Sequence, residues 1–389
     1  MDSSLVSKVI QEVQKSEISY CKFLAPNDTK YTKAHQAGYL ISKSAWQMFL
    51  DKEPLRGQNI KANITIKWQD DFETFSTFTY YGAAKNEFRL TGFGRNFPFR
   101  EEENSGDLFI LCRISNKYFK SFILSHDENI EDFLAAFNIS PNQTNAIIPS
   151  QYKQTEENGL IACFKSFLIS LKTDFPSTLE LSSVARKCYN QSYKINDQII
   201  KLNPDREILK WLDAEFQLFK IIENERYSQT IKTPFKSVED LVDIANTILN
   251  RRKSRAGKSL EHHLAEIFNI FNVMFDKQAK TEKNKIPDFL FPNEKAYKDP
   301  HFINTKLLML AAKTTCKDRW RQILNEADRI KIKHLFTLQP GISKNQLDEM
   351  YKYDVCLVVP QPNLETFPKE YKDKILTLSA FITKVKSLQ

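Results

Sequence analysis

The sequence predicts a multidomain protein with a mostly-β N-terminal half and an α/β C-terminal half built on a mixed sheet. Three observations lead there. At 389 residues the chain has room for two or three domains, each able to bury a core. Up to about residue 140, short runs rich in β-branched and aromatic residues are broken by turn residues. Beyond about residue 257, short apolar runs alternate with segments of helical periodicity.

Composition narrows the class. Hydrophobic residues at 41% and charged residues at 27% describe an ordinary globular protein rather than a disordered or membrane-embedded one. No stretch approaches the roughly 18 consecutive apolar residues that a span needs, and Met1-Asp2-Ser3-Ser4 begins neither a signal nor a transit peptide, so the expected location is cytoplasmic. Cys21, Cys112, Cys163, Cys188, Cys316 and Cys356 show no C-x-x-C spacing, which predicts thiols and neither a disulfide framework nor a zinc site. A formal charge of +8 is compatible with a polyanionic partner.

In chain order, strands are expected at 38–41, 64–68, 75–81, 88–91, 108–114 and 118–125, with short helices at 42–50 and 130–137. These fill a β-rich domain over 1–140. Residues 141–159 are polar, carry two prolines and read as a linker. The C-terminal domain, 160–389, opens with a helical lead-in over 160–256. Its helices are expected at 160–171, 179–189, 205–222 and 238–251, the last capped by Ser237. The run Arg251-Arg252-Lys253-Ser254-Arg255-Ala256-Gly257-Lys258 packs five cations into eight residues and suits either a solvated face or phosphate contact. The core then spans 257–389. Ser259 is expected to start a helix to about 271, and strands at 289–291, 307–312, 335–338 and 355–359 alternate with helices at 344–351 and 374–388. His262-His263 lacks the H-E-x-x-H spacing of a zinc protease.

The chemistry centres on Lys313, delivered by a buried strand to its exposed end. A helix should follow, with Trp320, Ile323, Leu324, Ala327 and Ile330 as its apolar stripe and Glu326 on the margin facing Lys313. Pro287-Asp288 opens the preceding strand and adds a second carboxylate if the strands are neighbours. Two carboxylates and a lysine suit phosphodiester hydrolysis: carboxylates hold magnesium, and the lysine offsets charge building on phosphate oxygens or on the nucleophile. An ordinary salt bridge at a sheet edge explains the same three residues.

Pro287-Asp288, Lys313 twenty-five residues on and Glu326 thirteen further on resemble the PD-(D/E)XK nuclease signature with its second acid moved downstream. The segments 250–261, 287–292 and 313–328 closely resemble the EcoRII-like type II restriction endonucleases. Asn27-Asp28-Thr29, His35-Gln36, Asn86-Glu87 and Gly94-Arg95 extend the likeness into the N-terminal half. The resemblance implies a restriction-endonuclease-like α/β fold in which Asp288 and Glu326 bind Mg, Glu261 supports them, and Lys313 completes the catalytic set. Lys317, Asp318 and Arg319 would read outer C·G pairs, since Lys and Arg donate to guanine acceptors and Asp accepts from the cytosine amino group. Lys253, Arg255, Arg321 and Tyr297 are the candidate phosphate contacts. Phe216 stands at the aromatic position of the family's pocket for flipped bases, and reads equally as a core aromatic. The N-terminal half would be a DNA-binding pseudobarrel, an effector domain contacting DNA through His35, Lys85, Glu87, Arg89 and Arg95. The implied activity is magnesium-dependent double-strand cleavage at a CC-N-GG site, CCWGG foremost, by a homodimer controlled through a second bound site and paired with a cytosine DNA methyltransferase. A non-cleaving DNA-binding regulator, or a nuclease of repair or recombination, is the alternative.

Overall fold

The structure is a computed structural model and describes residues 5–29, 38–148 and 158–389. The backbone divides into two compact units: Met1–Tyr152 with Gln339–Glu349 and Glu365–Tyr371, and Lys153–Leu338 with Met350–Leu364 and Lys372–Gln389.

The first unit is built on one curled sheet of eight strands: β1 (Ile18–Phe23), β2 (Tyr39–Ile41), β3 (Asn59–Trp68), β4 (Glu73–Tyr81), β5 (Phe88–Thr91), β6 (Leu108–Ser115), β7 (Tyr118–Leu124) and β8 (Ala146–Ile147). Their order is β2-β5-β4-β3-β7-β6-β1-β8, antiparallel throughout except for the parallel pair β3 and β7. Alternation along β6 explains how both faces are filled. Phe109 and Leu111 join a core with Trp68, Phe78, Phe97 and Phe119, while Leu108, Ile110 and Cys112 join a second core under helices α1 (Leu5–Lys15) and α2 (Asp127–Phe137). The helix expected at 42–50 is a 3-10 turn, Lys43–Met48. Asp28 proves to be an anchor. Its carboxylate accepts from the Leu40 N–H (2.6 Å), the Ala25 N–H (2.9 Å) and buried Lys22 Nζ (2.6 Å), tying together the two flanks of residues 30–37.

The second unit opens with α3 (Asn158–Ser170), α4 (Thr178–Tyr193), α5 (Asp197–Leu202), α6 (Pro204–Lys232) and α7 (Val238–Ile270). Ser237 caps α7, its Oγ accepting from the Asp240 N–H at 3.1 Å, as its place before a glutamate-bearing turn predicts. The helix does not stop at the cation run. It continues through Gly257, where an added Cβ would meet nothing within 4 Å, so Ser259 lies in mid-helix and starts nothing. A second correction concerns the cysteines. Neighbouring helices α3 and α4 bring Cys163 and Cys188 to a Cα separation of 5.7 Å, and the two sulfurs are bonded.

Six strands follow: β9 (Asp276–Lys277), β10 (Phe289–Phe291), β11 (Leu308–Lys313), β12 (Lys333–Thr337), β13 (Val355–Val359) and β14 (Leu376–Thr377), in the order β14-β13-β12-β11-β10-β9. The strands from β11 to β14 run parallel, while β9, β10 and β11 pair antiparallel, giving the mixed sheet expected of this half. Phe289 and Phe291 of β10 pack edge-on against Phe268 of α7, and Phe291 does the same with Phe381 of the last helix, Leu378–Leu388. That contact holds α7 on the sheet beside β10 and β11. Among the described residues no helix is long and apolar enough to cross a membrane.

Candidate active site

Antiparallel pairing of β10 and β11, with Phe289 opposite Leu310, sets Asp288 beside the C-terminal end of β11. Asp288 Oδ2 accepts from the Ala312 N–H at 2.8 Å, so a backbone group of the lysine-bearing strand fixes the carboxylate. Lys313 Nζ lies 3.6 Å from the same oxygen, with its side chain 30% exposed and that of Asp288 17% exposed. The two residues that head the motif therefore meet at one point on the sheet's rim.

Glu326 reaches this point from a different local structure than expected. The segment after β11 is a turn at Lys317-Asp318 and a 3-10 helix, Arg319–Asn325, and Glu326 is the extended residue that ends it. Three residues per turn stack Trp320 on Ile323, both fully buried, and leave Leu324 only partly covered. Ala327 then takes a left-handed conformation with φ +49°, a backbone that alanine adopts at a cost. The Glu326 carboxyl is pushed up to about 7, first by burial, next by the charge of Asp288, against the lowering pull of Lys313, Lys333 and Lys285. Its Oε2 is buried and accepts no hydrogen bond among the described residues.

Sequence reasoning missed what holds this turn. Lys333, at the start of β12, is buried and donates from Nζ to the carbonyls of Ala327 and Ile330, both at 2.6 Å. Burial lowers its pKa, while Asp328, Glu282 and Glu326 pull the other way. Nothing in the sequence marks it, because a lysine opening a strand reads as a surface residue. Glu282 takes part too, accepting from the Asp328 N–H at 3.1 Å and from the Tyr297 hydroxyl at 2.6 Å. Arg329 donates to the carbonyls of Asp299 (2.9 Å) and Phe302 (3.0 Å) and to Asn304 Oδ1 (2.7 Å).

Glu261 stands one step away. Its carboxylate receives Lys258 Nζ at 3.4 Å and Gln278 Nε2 at 3.3 Å, and the Gln278 N–H donates to the Asp288 carbonyl at 3.2 Å. Among the described residues no group of three or more His, Cys, Asp or Glu side chains is placed to hold a metal ion. Asp288 and Glu326 alone fit magnesium nonetheless. This ion keeps several waters and binds through one or two carboxylates plus substrate phosphate, and the unbonded Glu326 oxygen is a buried acceptor still in want of a donor or a cation.

Of the other candidates, Asp318 is exposed, Arg319 half-buried and Lys317 buried. Lys253 is exposed on α7 and Arg321 lies over the Trp320 ring. Two expected phosphate contacts are corrected. Arg255 is buried, 3.7 Å from Glu215 and beneath the rings of Phe216 and Phe219, because helical phase turns it inward within the cation run. Tyr297 is buried with its hydroxyl committed to Glu282. Phe216 is an interior residue between Arg255 and Lys220 Nζ, which lies 4.5 Å from its ring centre. In the first unit Lys85 and Arg95 are exposed, Glu87 and Arg89 form an ion pair of 2.9 Å at β5, and His35 lies outside the described residues.

Comparison with known proteins supplies the family. The family described as restriction endonuclease EcoRII, N-terminal, matches residues 13–150, and the family described as EcoRII C terminal matches residues 219–382. Type II restriction enzyme EcoRII of Escherichia coli is 34% identical over 394 residues, covering 95% of this chain and 94% of its own. Type II restriction enzyme SsoII of Shigella sonnei is 23% identical over 175 residues, 40% of this chain and 55% of its own. Among solved structures, metal-depleted Ecl18kI in complex with uncleaved, modified DNA aligns with TM-score 0.48 and 20% identity, over 58% of this chain and 83% of that one. With both halves matched in order and the likeness running nearly end to end, the chain belongs to the EcoRII family of type II restriction enzymes and is a site-specific endonuclease.

Proposed function

We propose that the chain cuts both strands of DNA at a CC-N-GG site, CCWGG foremost, by magnesium-dependent hydrolysis, with Asp288 and Glu326 holding the metal. The observation that carries the reading is the convergence of Asp288, Lys313 and Glu326 at the rim of the mixed sheet. When bound, magnesium polarises the phosphate and lowers the pKa of a water. Asp288 is preset by the Ala312 N–H, so its carboxylate needs no reorganisation. Lys313 Nζ supplies a fixed positive charge where negative charge gathers on phosphate oxygens. Glu261 steadies the Asp288 backbone through Gln278. Lys317, Asp318 and Arg319 are the proposed readers of the outer C·G pairs, with Asp318 the most exposed of the three. Lys253 and Arg321 are the remaining proposed phosphate contacts.

A palindromic site calls for a twofold homodimer. The first unit would bind a second copy of the site through Lys85, Glu87, Arg89 and Arg95, with His35, and would govern cleavage. A cytosine methyltransferase would protect the host, and the working compartment would be the cytoplasm. There Cys163 and Cys188 would stand as a reducible pair.

The test is cleavage of unmethylated duplexes carrying CCAGG, CCCGG or no site, with magnesium. Cutting is expected at one site type and should fall roughly 10²-fold or more in Lys313→Ala, the order of loss seen when a transition-state charge stabiliser is removed. Efficient cutting of a multi-site plasmid beside poor cutting of a short single-site duplex is the expected mark of control by the first unit. Equal cutting of all three duplexes would overturn the specificity.

A further inference from the structure

The tandem histidines of α7 part company in the fold. His263 is fully buried, accepting from Arg186 at Nδ1 (3.2 Å) and lying 3.0 Å from Glu215 through Nε2. His262 turns towards β9, where Lys277 Nζ lies 3.4 Å from its Nδ1. An ammonium only donates, so Nδ1 accepts, and Nε2 carries the ring proton towards Thr178 Oγ1 at 3.2 Å. Burial and the charge of Lys277 hold the ring's pKa down to about 4, which keeps it a neutral acceptor near pH 7.

Glu261, the residue before it, holds a second lysine: Lys258 Nζ lies 3.4 Å from one carboxylate oxygen and 3.5 Å from the other. Consecutive positions of one helix thus mount two ammonium groups, and both mounts stand beside the catalytic strand. β9 pairs antiparallel with β10, so Lys277 faces Phe289, the residue after Asp288, and Gln278 joins the Asp288 carbonyl to Glu261. The charges here do not balance. Lys258 has Glu261 and Arg186 has Glu266 at 3.6 Å, but Lys277 makes no ion pair among the described residues and has only the uncharged imidazole. Its pKa is lowered first by partial burial, with Lys258 and Arg186 adding to the effect and Glu261 opposing it. Cations gathered around one carboxylate repel each other, and an arriving anion offsets that repulsion.

We propose that Lys277 and Lys258 form a seat for a backbone phosphate of the substrate DNA, the one adjoining the scissile phosphate, with His262 and Glu261 positioning them. The proposal rests on the reading of Asp288, Lys313 and Glu326 as the cleavage site, and adds a contact beside it on the strand being cut. Two ammonium groups offer compact point charges, which suit a tetrahedral phosphate as well as a planar carboxylate, and the substrate brings a phosphate at every nucleotide.

The test uses the full chain and a duplex carrying whichever of CCAGG and CCCGG wild type cuts, with one backbone phosphate at a time replaced by an uncharged methylphosphonate. Lys277→Ala should weaken binding roughly ten- to hundredfold, the range for a hydrogen bond to a charged group. It should also lower the slope of log K against log salt by about one, with an unchanged melt because the residue is exposed. A methylphosphonate next to the cut position should weaken wild type by a similar factor and cost Lys277→Ala nothing further, while at other phosphates the two losses multiply. Lys258→Ala should couple to that same phosphate. His262→Leu, which removes the acceptor but no charge, should shrink the methylphosphonate penalty at that phosphate alone, which a merely structural role would not do. Losses that multiply at every phosphate, a wild-type salt slope in Lys277→Ala, or coupling of the two lysines to different phosphates overturns the seat and leaves the nuclease reading standing. A wild type that cuts neither duplex overturns both.

Discussion

Glu326 is the residue whose chemistry departs furthest from the ordinary. A carboxyl raised to about 7 binds a proton in the folded chain over a pH range where the unfolded chain has already lost it. Because the folded pKa exceeds the unfolded one, metal-free stability falls as pH rises from about 4.5 through about 7, and the loss is complete above that range. Glu326→Gln should therefore melt higher than wild type at pH 8 without metal, by on the order of 2 kcal/mol, with the gap closing towards pH 5. A gap independent of pH would show that the carboxyl titrates normally. At the proposed magnesium site the same proton would compete with the metal, so the apparent metal requirement should rise as pH drops below 7, measurable as the magnesium concentration for half-maximal cleavage. The sequence carried the identity of Glu326 through its spacing from Asp288 and Lys313. It did not carry the residue's burial, which depends on Ile323, Ala327 and Lys333 closing around it.

The segment after β11 and helix α7 show why residues were easier to identify than the structures that present them. The stripe from Trp320 to Ile330 has helical spacing, but a 3-10 helix uses the i, i+3 part of that pattern and then releases the chain at Glu326. What selects the tighter turn is tertiary: Lys333 takes the carbonyls of Ala327 and Ile330, and Glu282 takes the Asp328 N–H. Lys333→Met should remove both carbonyl partners, costing about 1–3 kcal/mol in thermal unfolding and lowering kcat more than it raises KM, because the turn positions Glu326 without touching substrate. In α7 the cation run looked like a break because glycine and serine punctuate it. Within a continuous helix its members instead point different ways, Arg255 inward to Glu215 and Lys253 outward. Arg255→Ala leaves the buried Glu215 short of a partner and should destabilise the fold by about 3–5 kcal/mol, leaving the salt dependence of DNA binding as it was. Lys253→Ala should do the reverse, with unchanged melting and a slope of log K against log salt smaller by about one. If Arg255→Ala alone changed the slope, its interior placement would not describe the DNA-bound enzyme.

At the scale of the whole molecule, the β-rich N-terminal half and the mixed sheet of the C-terminal half were legible from alternation and from the order of strands and helices. Strand β1 escaped because polar residues interrupt its apolar run without alternating with it. In β1 both Ser19 and Lys22 are buried beside Tyr20, Cys21 and Phe23, so no polar face appears, and Lys22 is tolerated inside only because Asp28 meets it. The cation run of α7 was legible as well, although the sequence did not show that one unbroken helix carries it. That continuity also constrains how the family can change. One rod of 33 residues, about 50 Å at 1.5 Å per residue, carries the exposed bend of residues 233–237 at one end and Glu261 near the other. Inserting a single residue between them would swing the bend by about 100° relative to Glu261, whereas seven would restore its heading to within about 20°. Homologues should therefore gain or lose length in the bend at residues 233–237 far more freely than within the rod, and a lineage that altered the rod by a number other than seven would have had to pack its first half against α6 anew.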